Sequence, residues 1–201
     1  MARPRAATFG DTRGQILAAA ARLFATRGYT ATTMNEVAAA SGVSKATLYH
    51  YVRDKHDLLA MIAAGHVATL ESLVQDVAAR RLAPEAHLRE LIRRFMRAYA
   101  GAQHQHRVLT EDVRFLADDE RRAVVDGQRR VVAAFAAAVA ALRPDLAAAR
   151  LERPLAMLLF GMINWTFTWL RAEGELTHER LGAIVAELFF GGLPAVAARP
   201  E

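Results

Sequence analysis

Residues 40–55 read ASGVSKATLYHYVRDK. Lys45, Thr47, Tyr49, His50 and Tyr51 crowd into one short helical stretch, directly after a glycine-containing turn. A helix that only plugs a core needs no such set of hydrogen-bonding side chains, whereas one that reads a polar surface does. Thr47, Tyr49 and His50 have the groups to meet phosphate oxygens or base edges, and the Thr47 methyl suits a thymine. Lys45 and Lys55 place positive charge at the two ends. Ser44 and Thr33 stand at helix N-termini, where free amides and the helix dipole attract phosphate. Tyr51 suits packing as well as contact. The expected nucleic-acid contacts are therefore Thr33, Ser44, Lys45, Thr47, Tyr49, His50, Tyr51 and Lys55.

The distribution of charge points the same way. The 201-residue chain has a net charge of +5, and residues 1–55 carry eight Lys/Arg against three acids, so the remainder is neutral. A cation-rich first quarter implies a polyanionic partner. No cysteine is present, which excludes disulfides and thiolate metal sites and fits a reducing cytoplasm. The first residues, MARPRAATFGDTR, contain no apolar run of the kind a secretory leader needs. Residues 155–170 are uncharged, but they are shorter than the roughly 18–20 residues of a membrane span and include Asn164. They are expected to form a buried helix, so no membrane partner is expected.

These side chains have to be positioned by helices. Helical periodicity runs through nearly the whole chain and no alternating strand pattern appears, so the fold class is all-α. A first helix over about 12–27 presents Ile16, Leu17, Ala20, Leu23 and Phe24 on one face, and Gly28 ends it. Thr33–Glu36, T-M-N-E, is a capping box opening a short helix to about Ala40. Ser41-Gly42 makes the turn, with Gly42 free to adopt a left-handed conformation. Ser44 caps the next helix, which runs to about Tyr51. Val37, Ala38, Val43 and Leu48 are the apolar positions that pack this pair. Asp54 caps a longer helix with Leu58, Leu59 and Ile62 facing inward. Further helices are expected at about 54–81, 84–101, 105–116, 118–142, 151–173 and 177–190, and a flexible basic arm at 1–10. Two short helices about a glycine turn, with the charge gathered there, make a helix-turn-helix whose second helix enters the major groove.

The stretch from Thr33 to Leu59, TMNEVAAASGVSKATLYHYVRDKHDLL, strongly resembles the TetR family of bacterial repressors. With the preceding I-L-x-A-A-x-x-L-F and G-Y-x-x-T-T elements, the likeness covers about residues 13–60. It departs from the family where Ala46 stands for a common Gly and Val52 for a common Phe. The resemblance implies about nine helices and no enzymatic activity. It implies a DNA-binding domain over 1–53 and a ligand-binding and dimerisation domain over 54–201. It also implies a homodimer on near-palindromic double-stranded operator DNA, with DNA contacts at Thr33, Lys45, Thr47, Tyr49, His50 and Lys55.

The C-terminal stretch 161–193, beginning GMINWTFTWL, is similar to the branch whose effectors are acyl-CoA thioesters. Leu158, Met162, Trp165 and Trp169 share one helical face, and Phe160, Asn164, Phe167, Thr168 and Arg171 another. A helix apolar on both sides needs two covers, one of them a partner subunit. Phe95, Tyr99, Phe160, Asn164, Trp165, Thr168 and Trp169 are the expected ligand contacts, with Asn164 a polar anchor in an apolar pocket and core or interface packing the competing role for both tryptophans. Arg89, Arg93 and Arg97 recur at four-residue spacing and suit either CoA phosphates or a solvated face. His104 and His106, two apart on a helix, point away from each other and do not make a metal site. No nucleophile elbow, Gly-rich phosphate loop or metal cluster appears, which argues against an enzyme with an appended helix-turn-helix. A constitutive architectural DNA binder would need no ligand pocket. The expectation is thus a cytoplasmic, effector-responsive repressor without a cofactor, released by an acyl-CoA or similar hydrophobic molecule. The alternative is a regulator of a drug-efflux or other catabolic operon with a non-CoA hydrophobic effector.

Overall fold

The computed structural model describes residues 9–170 and 174–198. Among them are ten α-helices, three short 3-10 turns and no strand. The helices are α1 (Phe9–Arg27), α2 (Met34–Ser41), α3 (Lys45–Tyr51), α4 (Lys55–Ala79), α5 (Pro84–Gly101), α6 (Gln103–Glu111), α7 (Asp118–Leu142), α8 (Pro144–Ala148), α9 (Glu152–Asn164) and α10 (His178–Gly192). Most of the expected arm at 1–10 lies outside the described residues, and its last two residues, Phe9 and Gly10, open α1.

The helices form two compact units. The first holds the described residues up to His66 together with His104–Ala123, and the second holds Val67–Gln103 and the described residues from Val124 onward. The first unit therefore gathers more than the stretch ending at residue 53: the start of α4, α6 from His104 onward and the first residues of α7 also pack in it.

In the first unit α1 packs on α2 and α2 on α3. Ile16, Ala20, Phe24, Val37, Ala38, Leu48, Leu58 and Leu59 are buried, while Leu17 and Val43 are half-buried. In the second, α5 buries Leu88, Leu91, Ile92, Phe95, Met96 and Tyr99, at the three- and four-residue spacing of one helix face, largely against α10. Where α7 packs on α4, a Cβ at Gly127 would collide with Val67 Cγ1, so a larger residue there requires Val67 to shift.

Three elements differ from the sequence reading. The helix expected at 105–116 stops at Glu111, and a 3-10 turn, Val113–Phe115, follows. Pro144, expected as punctuation, opens α8 at its first turn, where its missing N–H is harmless. Arg143 before it donates to the carbonyls of Leu193 (2.7 Å) and Val196 (3.1 Å), tying α8 to the 3-10 turn Leu193–Ala195 and the residue after it. The helix expected at 151–173 ends at Asn164 and tightens into a 3-10 turn, Trp165–Thr168. There the Thr166 and Thr168 hydroxyls donate to the carbonyls of Ile163 and Trp165 three residues back, which competes with helical pairing. Arg171 lies outside the described residues. Among the described helices, α4 is long and apolar enough to cross a membrane by length and composition alone. Its Leu58, Leu59, Ile62, Ala63, Val67, Leu70 and Val77 are buried in the two units.

Candidate nucleic-acid interface and effector site

Local chemistry fixes the turn between α2 and α3. The Thr33 hydroxyl accepts from the Glu36 amide (3.3 Å), and the Glu36 carboxylate accepts from the Thr33 amide (2.8 Å) and hydroxyl (2.9 Å). Those two bonds from Thr33, reinforced by Arg27, hold the Glu36 carboxyl below its ordinary range. Gly42 takes the left-handed conformation (φ 69°), and its N–H reaches the carbonyls of Ala38 and Ala39. Ser44 Oγ accepts from the Thr47 amide at 3.0 Å and lies 2.8 Å from the Thr47 hydroxyl.

Leu48 is fully buried and sets the orientation of α3. At about 100° per residue, Ala46 and His50 point most directly away from Leu48, with Thr47 and Tyr49 on the two flanks. All four are exposed, as are Ser44 and Lys45; Tyr51 is half-buried and meets His50 edge-on at 5.7 Å between ring centroids. The structure thus brings Ser44, Lys45, Thr47, Tyr49, His50 and Tyr51 together at one short helix. Sequence reasoning passed over Ala46 as a contact because its methyl has no hydrogen-bonding group. Its position opposite Leu48 was the available signal.

Thr33 and Lys55 have their polar groups engaged within the first unit. The Thr33 hydroxyl is spent on the capping box. Lys55 Nζ donates to the carbonyls of Tyr29 (2.9 Å), Thr30 (3.1 Å) and Thr32 (3.0 Å). An ammonium has three N–H bonds, and all three are used. The same Nζ sits 4.6 Å from the centre of the Tyr29 ring, which stacks on Phe115. The Lys55 ammonium, expected at phosphate, is engaged here by the loop between α1 and α2.

In the second unit, four of the seven expected ligand residues converge. Phe95 meets Tyr99 and Phe160 edge-on, and Phe135 lies 4.8 Å from Phe95 and 4.7 Å from Phe160 between ring centroids. The Tyr99 hydroxyl donates to Asn164 Oδ1 at 2.8 Å. Burial pushes the Tyr99 phenol up, so it stays a donor. Phe135 was not among the expected contacts, because on the Ala-rich α7 it reads as ordinary core. Trp165, Thr168 and Trp169 do not join the cluster: they are exposed, Trp165 by 62% and Trp169 by 52%.

The arginine row is paired with acids. Arg89 donates to Glu85 and Glu187, Arg93 to Glu90, and Arg97 to Glu179. Glu90 accepts from Arg93, Arg94 and Arg80, and these partners, Arg93 foremost, hold its pKa down at about 2. His106 faces not His104 but His66 of α4, with Nε2 of His66 3.4 Å from Nδ1 of His106, both rings being buried. His104 is exposed. Among the described residues no three His, Cys, Asp or Glu side chains gather as metal ligands.

Comparison with known proteins agrees with this arrangement. Residues 16–62 match the family described as bacterial regulatory proteins, tetR family, and residues 81–193 match the tetracyclin repressor-like C-terminal domain. A TetR-family transcriptional regulator from Bordetella parapertussis 12822 superposes with a TM-score of 0.86 at 32% identity, over 94% of this chain and 99% of that one. The HTH-type transcriptional repressor KstR2 of Mycobacterium tuberculosis is 30% identical over 94 residues, which is 47% of this chain and 46% of that protein, so the match spans less than half of either. AibR in complex with isovaleryl coenzyme A and operator DNA shares the fold, with a TM-score of 0.74 at 24% identity over 88% of this chain and 97% of that one. Two helices about a left-handed glycine, an exposed polar second helix and a family match over more than half the chain lead to one conclusion. The chain belongs to the TetR family of DNA-binding transcriptional regulators, which are not enzymes.

Proposed function

We propose that the protein is a cytoplasmic homodimeric repressor that binds a near-palindromic operator through α3 of each protomer and leaves it when a hydrophobic effector enters the second unit. The outward face of α3 carries this reading: Ser44, Lys45, Thr47, Tyr49 and His50 are exposed around a buried Leu48. We place the functional boundary between DNA-binding and effector domains at residues 53/54, where Asp54 caps α4. The Asp54 carboxylate accepts the Asp57 amide at 2.8 Å. A variant Tyr49→Ala is expected to weaken operator binding by about 1–3 kcal/mol and to affect random DNA much less. Equal losses on both, measured by fluorescence anisotropy at fixed salt, would remove Tyr49 from the sequence-reading face.

Homodimerisation is supported by an apolar surface on α9, the turn after it and α10. Leu158 is 66% exposed and Leu188 64%, and Met157, Trp165, Trp169 and Ile184 are exposed with them. Six large apolar side chains on three packed elements are more than a monomer surface usually presents together. Gly161 has open space beside it on the same helix. A four-helix bundle made by α9 and α10 of two chains covers them. A two-fold axis then sets the recognition helices about 34–36 Å apart, one turn of DNA. Sedimentation should give a dimer for the native protein and a monomer for Leu158→Arg/Leu188→Arg at micromolar concentration. A native monomer would refute the bundle.

The effector site is proposed at the Phe95–Phe135–Phe160 ring cluster, with the Tyr99–Asn164 pair as its polar anchor. An acyl-CoA thioester is supported by the likeness of 161–193 to the acyl-CoA-responsive branch and by a relative of the same fold that binds isovaleryl coenzyme A. One observation favours the second reading, a hydrophobic effector without CoA: Arg89, Arg93 and Arg97 are each committed to carboxylates. Calorimetry with acyl-CoAs, free CoA and the free acids separates the two. Binding of a thioester at micromolar Kd supports the first, and binding of the free acids alone supports the second.

A further inference from the structure

Within the face that α3 presents, the first turn differs in chemistry from the rest. Lys45, Tyr49 and His50 offer charge and hydrogen bonds. Ala46 offers only a methyl, and it points directly away from the buried Leu48. Thr47 beside it has its hydroxyl turned back onto the cap, 2.8 Å from Ser44 Oγ, while its own amide donates to the same oxygen at 3.0 Å. A threonine β-carbon carries one oxygen and one methyl, so committing the oxygen to the cap leaves the methyl as the part of this exposed side chain that meets a ligand. Two adjacent methyl groups therefore stand on the leading turn of a helix otherwise equipped for polar contacts.

We propose that Ala46 and Thr47 form a methyl-lined reader for the 5-methyl group of a thymine in each operator half-site. The proposal rests on the DNA-binding role of α3 given above. In the major groove the thymine methyl is the one apolar feature by which an A·T pair is distinguished, and alanine and threonine methyls are suited to it. A hydroxyl free to turn toward the groove would blur that choice by accepting polar base edges as well. Held 2.8 Å from Ser44 Oγ, the Thr47 oxygen is directed at the cap, so the discrimination falls on the methyl groups. Ser44 is thereby a positioning residue, acting on the base only through Thr47.

The test uses the full-length protein and an operator selected by it from random duplexes. Each thymine of the half-site is replaced in turn by deoxyuracil, which deletes only the methyl. At one position the native protein should lose about fourfold in affinity per half-site, and about fifteenfold when both half-sites are substituted, the effect of removing one buried methyl-sized contact. Thr47→Ser, which keeps the hydroxyl and loses the methyl, should lower this ratio most of the way to one, the Ala46 methyl retaining the remainder. Thr47→Val, which keeps the methyl, should preserve it. Ala46→Gly should lower it part of the way. Because the thymine-to-deoxyuracil ratio is taken within one protein, loss of helix stability in a variant cancels. A native ratio of one at every thymine, a half-site without thymine, or a fourfold ratio that survives in Thr47→Ser overturns the proposal while leaving the regulator reading intact. A chain that selects no sequence overturns both.

Discussion

Replacing Lys55 with methionine is expected to destabilise the first unit by about 3 kcal/mol and to leave the salt dependence of DNA binding unchanged. Methionine keeps most of the stem and removes the ammonium, so the carbonyls of Tyr29, Thr30 and Thr32 lose their shared donor. Each charge-assisted bond contributes about 1.5–3 kcal/mol, but the three act as one network, and the exposed Thr30 carbonyl recovers water, so the sum stays well below additive. Loss of the contact with the Tyr29 ring adds to the effect. Urea unfolding followed by circular dichroism gives the stability change. Anisotropy titrations against operator at several salt concentrations, at a temperature where the variant is folded, give the slope. A phosphate contact would instead reduce that slope by about one with little change in stability, and that outcome would return Lys55 to the interface.

Acidification below pH 6.5 is expected to remove about 3 kcal/mol of stability through His66. Burial lowers the pKa of this imidazole from 6.5 to about 4, so the folded protein keeps it neutral. The unfolded chain takes up a proton there once pH falls below about 6.5, and the folded chain does not until about 4. More protons bound to the unfolded state means that stability falls with pH across this window. The contribution is fully present above pH 6.5 and gone below about 4. His104 and His178 are lowered as well, His178 by partial burial and His104 by partial desolvation together with the charges of Arg22 and Arg107, and act in the same direction. The comparison that isolates His66 is therefore His66→Gln against the native protein. The variant should show a clearly shallower decline between pH 6.5 and 4.5, a range that precedes protonation of carboxylates such as Glu90 and Asp57, both of which are held low by arginine partners. Parallel declines in the two proteins would show that His66 is not protected from protonation in the fold.

The helix-turn-helix was legible in the sequence because local chemistry builds it. A capping box needs only Thr33 and Glu36 at the right spacing, a left-handed turn needs only Gly42, and Ser44 closes its cap on Thr47 three residues away. The second unit gave less away. Phe95, Tyr99, Phe160 and Asn164 could be singled out by residue type, and they do converge, but Phe135 completes their ring cluster from α7, forty residues beyond Phe95. Such a meeting is set by how helices cross, and no periodicity within α7 records it. The same separation hid the partners of the arginines: Arg89 meets Glu187 and Arg97 meets Glu179, across α5 and α10. It also hid the pairing of His106 with His66.

The sequence by itself determined the all-α class, the placement and capping of α2 and α3, the burial of Leu48, and hence which face of α3 looks outward. These follow from interactions within a few residues, where spacing and geometry are nearly the same thing. Only the tertiary structure decided which polar groups remain available for a partner. Lys55 has the chemistry of a phosphate contact, yet its ammonium is drawn to three carbonyls of the loop after α1. A side chain's composition states what it can bind, and its folded neighbours settle whether that capacity is already used.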